Sequence, residues 1–314
     1  MNAQGPDSSL LRERESKAIE YARGAGQILL DYFHNAIEVK FKSKGERDPV
    51  TLADTRVESY LKESIGNDFP KDAILGEEGE TVPGEGSPFV WVLDPLDGTT
   101  NFLNGLPLFA VSIGVLWNFR PVVASIYVPT GYDARQGVYH ATSEGEAYFD
   151  DQKLSVKDNI IPDAARISSF PWGYRMPSKL NKGKETALGE ARSLGSIALE
   201  LALCTQGALK SVVFVRPRIW DVAAGTLLVQ RVGGLVLTRG PRRRDWRPLI
   251  EFQSTPSPGG EPLETLRKWS QPVIAGDPQQ VWRLAAQAGR PLGPLMGLAA
   301  LLRRLVRGKK GGFC

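Results

Sequence analysis

The residues best suited to chemistry in this sequence are two aspartates in one short segment, Asp94-Pro95-Leu96-Asp97. A continuous apolar run at residues 89–93 precedes them and predicts a short strand that is buried on both faces. Pro95 and a following glycine favour a sharp turn, which would direct both carboxylates and the carbonyl of Leu96 into one small volume. Hard divalent cations bind oxygen ligands of this kind, so the segment predicts a metal site. The simpler alternative is a turn whose aspartates only cap backbone groups.

The residues after this turn predict a phosphate-binding group beside the metal ligands. Gly98 is followed by Thr99, Thr100 and Asn101, which can open the next short helix. The backbone N–H groups of Gly98 and Thr99 would then point at an anion, and the helix dipole would favour a phosphate there. One segment is therefore expected to supply metal ligands and a phosphate cradle side by side.

Two further carboxylates stand in weaker motifs. Glu77 is the first acidic residue of a Gly-Glu-Glu-Gly sequence that follows the apolar residues 73–75, and such a sequence is more often a solvated turn. Asp221 lies in Trp-Asp-Val-Ala-Ala-Gly, where an aspartate is an ordinary helix cap. Each becomes a candidate metal ligand only in the company of Asp94 and Asp97.

The three motifs, in this order and at these separations, resemble those of the inositol monophosphatase family over roughly residues 15–288. The central motif, Trp-Val-Leu-Asp-Pro-Leu-Asp-Gly-Thr-Thr-Asn-Phe at residues 91–102, is the most specific. The resemblance implies the layered αβαβα fold of the sugar phosphatases, two or three bound Mg²⁺ ions and inhibition by lithium. The metal ligands that it implies are Glu77, Asp94, the carbonyl of Leu96, Asp97 and Asp221.

The resemblance also implies roles for residues outside the metal ligands. Glu77, Thr99 and Asp54 would orient a metal-activated water for direct in-line attack on phosphorus, without a phosphoenzyme. The substrate contacts that it implies are Gly98, Thr99, Thr100, Gly195, Ser196, Ile197 and Asp221. A homodimer is the usual assembly of the family and is the expected assembly here.

One position departs from the family pattern and leaves the substrate open. Phe214 stands where inositol phosphatases carry an acidic residue that contacts inositol hydroxyls. An aromatic ring cannot accept a hydroxyl hydrogen bond, whereas Arg216 and Arg218 favour additional negative charge or lie in surface or dimer contacts. The sequence therefore predicts Mg²⁺-dependent hydrolysis of a small phosphate monoester, either inositol monophosphate or a related sugar phosphate. The alternatives are fructose-1,6-bisphosphatase-like activity, or a regulatory protein of the same fold that binds RNA or a transcription partner.

The composition is that of an ordinary globular enzyme. It disfavours a disulfide-stabilised fold and catalysis that depends on histidine. Of the 314 residues, 42% are apolar and 24% are charged, with a net charge of +4. Two cysteines cannot build a disulfide framework, which favours a cytoplasmic location. Two histidines leave little material for a histidine-based zinc site or a Ser-His-Asp triad, so carboxylates and hydroxyls are expected to carry the chemistry.

The ends of the sequence predict no transmembrane segment. Residues 1–16 lack the apolar core of a signal peptide, and the apolar stretch 291–302 is about half of the ~20 residues that a spanning helix needs. The basic amphipathic tail 289–314 can lie on an anionic membrane, pack against a second subunit or be disordered. The Arg-rich loop 239–247 has little aromatic surface for stacking bases, so nucleic acid is not expected as the main partner.

Periodicity divides the rest of the chain into two unlike halves. Residues 1–155 are predicted to form an α+β domain with the main metal-binding motifs, and residues 156–288 an α/β domain that completes the site. Helices and strands of the first half are expected at residues 10–34, 57–65, 73–75, 89–93, 109–116, 122–128, 137–140 and 146–149. Those of the second half are expected at residues 166–170, 196–205, 212–215, 222–232, 235–238, 273–276 and 279–287. Residues 240–260, rich in Arg, Pro, Ser and Gly, are expected to be a surface insertion.

Overall fold

The computed structural model describes residues 5–33, 39–41, 49–155, 165–171, 189–239, 245–252 and 262–288. Its α-helices are α1 (Ser8–Phe33), α2 (Leu52–Asp68), α3 (Thr99–Leu103), α4 (Ile197–Thr205), α5 (Ile219–Arg231), α6 (Pro262–Arg267) and α7 (Pro278–Ala288). Its strands are β1 (Val39–Phe41), β2 (Pro49–Thr51), β3 (Ala73–Gly76), β4 (Phe89–Asp97), β5 (Ala110–Trp117), β6 (Arg120–Val128), β7 (Gly137–Thr142), β8 (Ala147–Phe149), β9 (Gln152–Lys153), β10 (Ile167–Ser169), β11 (Glu190–Arg192), β12 (Leu209–Phe214), β13 (Leu235–Thr238), β14 (Arg247–Pro248) and β15 (Val273–Gly276).

Two large sheets contain most of these strands. The first has the order β3-β4-β5-β6-β7-β8-β9, in which β3 and β4 are parallel and the later neighbours are antiparallel. The second has the order β11-β10-β12-β15-β13-β14, in which β10 is parallel to both β11 and β12. The short strands β1 and β2 pair with each other. Strands β3 and β4 are buried along their whole length because helices cover both faces of the first sheet.

Helices and sheets alternate in layers. Helices α1 and α2 pack on one face of the first sheet, with Leu61 fully buried there. Helices α4 and α5 fill the space between the sheets, where Leu228 belongs to the first-sheet core and Leu201 to the second-sheet core. Helix α7 covers the outer face of the second sheet through Val281. The predicted layered αβαβα fold is confirmed, and the helices between the two sheets are shared by both cores.

The predicted surface insertion at residues 240–260 is wrong in its middle. Arg247–Pro248 forms β14 and pairs with β13, while Leu249 and Phe252 are 2% and 1% exposed. The ring of Phe252 packs edge-on against Trp269 at 4.9 Å between ring centroids. The surrounding Arg, Pro and Gly residues dominate the local composition and conceal these two buried positions. Residues 240–244 of the Arg-rich loop and the tail 289–314 lie outside the described residues.

The remaining predictions concern the positions of helices and strands, the domain division and transmembrane segments. The strands and helices expected in the core are present with shifts of a few residues at their ends. The division of the chain into domains at residue 155 stays a prediction. No helix within the described residues is long and apolar enough to cross a membrane.

Candidate active site

The two aspartates of the central motif lie at the end of β4, where the strand contains a bulge. Residues three apart on a regular strand face opposite sides of the sheet. Here Asp94 pairs with Ser112 and Asp97 pairs with Ala110, so three steps along β4 match two steps along β5. The extra residue adjoins Pro95, which has no N–H to donate to the neighbouring strand. The bulge therefore allows both carboxylates to face the same side.

Gly98 turns the chain from β4 into α3 in a conformation that favours glycine. Its φ of 93° lies in the left-handed region. A Cβ atom at this position would lie 2.9 Å from the carbonyl oxygen of Leu108 and 3.0 Å from Cβ of Ser196. Helix α3 begins at Thr99, as predicted, and no side chain caps it. Three of the predicted metal ligands, Asp94, Leu96 and Asp97, thus lie within a few residues of the predicted water-positioning hydroxyl of Thr99.

Asp97 joins the first sheet to the start of α4. Its Oδ2 accepts hydrogen bonds from Oγ of Ser196 at 2.7 Å and from the backbone N–H of Ala198 at 2.5 Å. Ser196 is also the N-cap of α4, because its Oγ accepts the N–H of Leu199 at 3.3 Å. The terminus of α4 therefore fixes the orientation of the Asp97 carboxylate.

Asp94 is the most enclosed carboxylate of the site. Its side chain is 1% exposed, and Oδ1 accepts the backbone N–H two residues further along. Within the described part of the chain, Oδ2 is buried without a hydrogen-bond partner. Burial raises the pKa of Asp94 well above its usual range, and the charges of Glu77, Asp97, Asp221 and Asp54 raise it further. Such an oxygen fits a metal ligand, because a buried carboxylate oxygen is costly unless something compensates it.

Asp221 reaches the same cluster from the first turn of α5. Its Oδ2 accepts the backbone N–H of Arg218 at 2.7 Å, so it also caps the helix. Burial nevertheless raises its pKa well above the usual range, the charge of Asp97 adds to this, and the Arg218 hydrogen bond only partly offsets it. A simple capping aspartate would show a lowered pKa, so this one belongs to the acidic cluster.

Glu77 follows β3 directly and is held by an arginine from a distant helix. Arg267 donates from Nη1 to the carbonyl of Gly76 at 3.0 Å and from Nη2 to the carbonyl of Glu77 at 3.2 Å. Its guanidinium also lies 5.9 Å from the ring centroid of Trp220, the residue before Asp221. Arg267 therefore ties the Glu77 turn to the helix that carries Asp221.

The two other residues predicted to orient water lie on neighbouring helices. Asp54 is in the first turn of α2, is 3% exposed and contributes to the raised pKa of Asp94. Thr99 donates its Oγ1 proton to the carbonyl oxygen of Leu96 at 3.1 Å. A hydroxyl oxygen that donates in this way keeps its lone pairs for accepting a hydrogen bond from another group.

The carboxylates form an open cluster. Burial raises the pKa of Asp97 to about 7, hydrogen bonds from Ser196 and Ala198 partly offset this effect, and the charge of Glu77 adds to it. Among the described residues, no three Asp, Glu, His or Cys side chains have the spacing of a closed metal site. Mg²⁺ suits an open set, because it usually takes only one or two carboxylates and completes its shell with water and substrate phosphate.

The residues predicted to contact the substrate fall on two sides of this cluster. Gly195, Ser196 and Ile197 line a cavity of about 310 Å³, and Phe214 and Arg216 line it too. Gly98, Thr99 and Thr100 lie on the turn after the bulge, where Thr100 is exposed to solvent. Their contacts with a substrate stay predictions, as do the assignments of the metal ligands.

Two residues that hold this cavity in shape, Glu200 and Asn101, are not recognisable as such from sequence pattern. Glu200 is 5% exposed, and its Oε1 accepts the backbone N–H groups of Leu194 at 2.8 Å and Gly195 at 3.2 Å. Asn101 donates from Nδ2 to the carbonyls of Leu108 and Leu194, both at 2.7 Å. The position of Asn101 inside the central motif was a signal of importance, but its partner 93 residues away was not readable.

Known proteins share this fold and sequence pattern. A model of the inositol monophosphatase family matches residues 10–256. An Aquifex aeolicus protein named fructose-1,6-bisphosphatase/inositol-1-monophosphatase is 32% identical over 232 residues, which cover 71% of this chain and 86% of the relative. The Nus factor SuhB of Salmonella typhimurium is 34% identical over 224 residues, which cover 70% of this chain and 82% of the relative. The crystal structure of the extragenic suppressor protein suhB from Bartonella henselae has a TM-score of 0.65 at 26% identity and covers 88% of this chain and 98% of that one.

Proposed function

Because the chain belongs to the inositol monophosphatase family and is a phosphoric monoester hydrolase, we propose that it hydrolyses a small phosphate monoester with Mg²⁺ held at the end of β4. The observation that carries the proposal is the buried, acid-surrounded carboxylate of Asp94, whose Oδ2 has no hydrogen-bond partner among the described residues. A bound cation would compensate this cluster while leaving it ionised. The ligands for two or three ions would be Glu77, Asp94, the carbonyl of Leu96, Asp97 and Asp221.

The chain itself contributes position and proton acceptors. When bound, Mg²⁺ lowers the pKa of a water ligand, neutralises phosphoryl oxygens and stabilises the leaving oxygen. Thr99 donates its own proton to the Leu96 carbonyl, so its oxygen can accept a hydrogen bond from the attacking water and orient it. Glu77 and Asp54 supply the further acceptors that orient this water. Attack is in line with the ester bond, and no phosphoryl-protein forms.

Family membership favours inositol monophosphate and related sugar phosphates among the esters that this site can hydrolyse, with fructose-1,6-bisphosphatase-like activity as the alternative. It does not determine which leaving alcohol is hydrolysed fastest. The name of the Aquifex aeolicus relative joins both activities, and Arg216 at the cavity suits a second phosphate. A phosphate-release panel with Mg²⁺, with and without lithium, tests the proposal. The expected result is Mg²⁺-dependent release that Asp221→Asn reduces strongly. Failure to release phosphate from any sugar or nucleotide phosphate would refute the proposed activity.

A second candidate function is regulation through a transcription partner. The similarity to a relative named Nus factor SuhB favours it, since that name states no hydrolytic activity. Affinity capture of RNA polymerase complexes by the full chain and by Asp94→Asn would separate the two functions. Capture that is equal for both chains, together with absent hydrolysis, would favour regulation over catalysis.

The expected assembly is a homodimer, which we propose from family membership alone. Sedimentation of the full chain at micromolar concentration would test this proposal, and a monomer at all concentrations would exclude it. A cytoplasmic location, and membrane contact by the tail 289–314, are likewise proposals. Fractionation of cells, and flotation of the full chain with anionic liposomes compared with a chain that ends at residue 289, would test them.

A further inference from the structure

The cavity beside the carboxylate cluster has mostly apolar walls. It lies between the end of β10, the start of α4 and the segment that joins β12 to α5. Its apolar lining residues are Phe170, Pro171, Ile197, Val213, Phe214 and Val215. Phe170, Val213 and Phe214 are 6%, 5% and 5% exposed, so the core fixes their positions. This wall therefore has a defined shape before any ligand binds.

The buried polar side chains of the cavity are already engaged. Ser196 donates to Asp97 and accepts from the start of α4, and Glu200 accepts two backbone N–H groups through Oε1. Ser193 and Arg216, the other polar side chains among the described residues of the lining, are exposed to solvent. A polyol placed in this cavity would give up hydrogen bonds to water without regaining all of them from the walls. An apolar ring has no hydrogen bonds to water to give up, and it would displace water from the apolar surface of the cavity.

The cavity also adjoins the cluster on two sides. Ser196 contacts Asp97, and Pro217 of the lining precedes Arg218, whose N–H bonds to Asp221. A phosphate at the cluster would therefore place the alcohol portion of its ester against these walls. The volume of about 310 Å³ is enough for a single six-membered ring, since a cavity of about 150 Å³ can hold benzene.

We propose, resting on the phosphatase activity above, that this cavity selects phosphate monoesters whose leaving alcohol carries an apolar ring rather than a polyol. Phe214 is the main specificity-determining residue, because it presents carbon where a hydroxyl-binding wall needs an acceptor. Ile197 extends the apolar surface next to the carboxylate cluster. The inference concerns the leaving group alone and leaves the chemistry at phosphorus as described.

A matched pair of substrates tests the inference. Cyclohexyl phosphate and myo-inositol 1-phosphate share a six-membered ring and differ in the ring hydroxyls. Cyclohexanol is the poorer leaving group, so intrinsic reactivity favours the inositol ester. We expect kcat/KM with Mg²⁺ to be at least about tenfold higher for cyclohexyl phosphate, because its ring leaves no hydroxyl unpaired. Equal values, or faster hydrolysis of inositol 1-phosphate or fructose 1,6-bisphosphate, would overturn the inference.

Variants of the cavity wall provide a second test. The quantity compared is the ratio of kcat/KM for cyclohexyl phosphate to kcat/KM for myo-inositol 1-phosphate, which does not depend on the fraction of protein that is folded. Phe214→Glu should shift the ratio at least about tenfold toward the inositol ester, whereas Phe214→Leu should keep the apolar preference. If Phe214→Glu does not fold, Val215→Asn replaces it, since Val215 is 52% exposed. Its ratio should shift in the same direction, and an unchanged ratio in a folded variant would count against the inference.

One further substrate separates failure of this inference from failure of the proposed function. Glycerol 1-phosphate is too small to depend on the apolar walls. If it is hydrolysed with Mg²⁺ while the ring preference is absent, the selectivity inference is wrong and the phosphatase proposal stands. If neither glycerol 1-phosphate nor the ring esters are hydrolysed, the phosphatase proposal itself is wrong.

Discussion

The parallel strands β3 and β4 have a buried aspartate at each end, and the two ends are built differently. Where the strands begin, Asp72 is 4% exposed and accepts hydrogen bonds from Arg14 at 3.0 Å, Ser87 at 2.6 Å and Trp91 at 3.0 Å. Where they stop, Asp94 is 1% exposed, and its Oδ2 has no such partner within the described residues. The neighbours of Asp94 are instead carboxylates. Burial is the main cause of its raised pKa, and the charges of these carboxylates raise the pKa further.

The difference separates a structural use of a buried carboxylate from a functional one. At the Asp72 end, an arginine and two further donors satisfy the charge inside the protein. At the Asp94 end, carboxylates of the same charge lie together, and under the proposed function a bound cation compensates them. The proposed metal site lies at the carboxyl end of the parallel pair, where open α/β sheets place their ligands. Residue type alone does not distinguish the two aspartates, but their surroundings do.

The largest expected effect is the loss of activity in Asp94→Asn. Removal of one ligand charge should cost several kcal/mol of transition-state stabilisation, so kcat/KM with Mg²⁺ should fall on the order of a thousandfold. The same substitution should raise the free energy of unfolding of the metal-free protein at pH 8, because burial and the neighbouring carboxylates make an ionisable group costly at this position. Phosphate release and urea unfolding in the presence of a chelator measure the two effects. Activity within tenfold of the parent chain would remove Asp94 from the metal site.

The matched substitution at the other end, Asp72→Asn, should lower the stability of the protein and leave its activity unchanged. It leaves Arg14 buried with an incomplete partner, so the free energy of unfolding should fall by about 3–5 kcal/mol. The folded fraction should keep its Mg²⁺-dependent kcat, since Asp72 lies at the far end of the strands. Urea unfolding together with kcat per folded molecule provides the measurement. A stable Asp72→Asn protein with impaired kcat would contradict a purely structural role for Asp72.

A smaller effect is expected from Arg267→Ala, which acts on the site through Glu77. This variant loses the hydrogen bonds from Arg267 to the Gly76 and Glu77 carbonyls. The Mg²⁺ concentration for half-maximal activity should therefore rise by about 10–100-fold, which is the range for residues that hydrogen-bond to metal ligands. Arg231→Ala is the control, because Arg231 also donates to two backbone carbonyls, at 2.6 and 3.0 Å, in a turn away from the site. An equal shift in both variants would show that the effect is one of general stability.

A gradual effect concerns pH and metal removal. In the metal-free protein the pKa of Asp97 is about 7 against an ordinary value of 3.8, so the folded state holds a proton that the unfolded state has released. The free energy of unfolding should therefore fall as pH rises from about 4 to about 7, by at most about 1.4 kcal/mol per pH unit for this group. Mg²⁺ should reduce the decline, and Asp97→Asn should remove this contribution. Urea unfolding from pH 5 to 8 tests this, and a stability that rises across the window in wild type but not in Asp97→Asn would contradict the raised pKa.

The local part of the site was predictable from the sequence because it is encoded in consecutive residues. The apolar run before Asp94, the proline after it and the glycine at position 98 predict a buried strand, a turn and a following helix, and the structure contains all three. The bulge was not predicted, because it depends on the register against Ser112 and Ala110 of the neighbouring strand. Without that register, a spacing of three residues does not reveal which face each carboxylate takes.

The long-range part was not predictable from pattern alone. Arg267 contacts the carbonyl of Glu77 from 190 residues away, and an arginine in a short helix carries no signal of such a partner. Phe214 was recognised as unusual, but the apolar cavity around it is formed by residues from separate segments such as Phe170 and Ile197. The reaction type is therefore encoded locally, whereas the selection of the alcohol depends on how the second sheet packs beside the first.

Calorimetric titration of the metal-free protein with Mg²⁺ at pH 7 shows whether the carboxyl end of β3 and β4 binds the metal. The parent chain and Asp72→Asn should bind Mg²⁺ saturably and release protons, because Asp97 is partly protonated at this pH. Asp94→Asn should bind at least about tenfold more weakly. Equal Mg²⁺ affinity in the parent chain and Asp94→Asn would contradict the assignment of the carboxyl end of β3 and β4 as the metal centre.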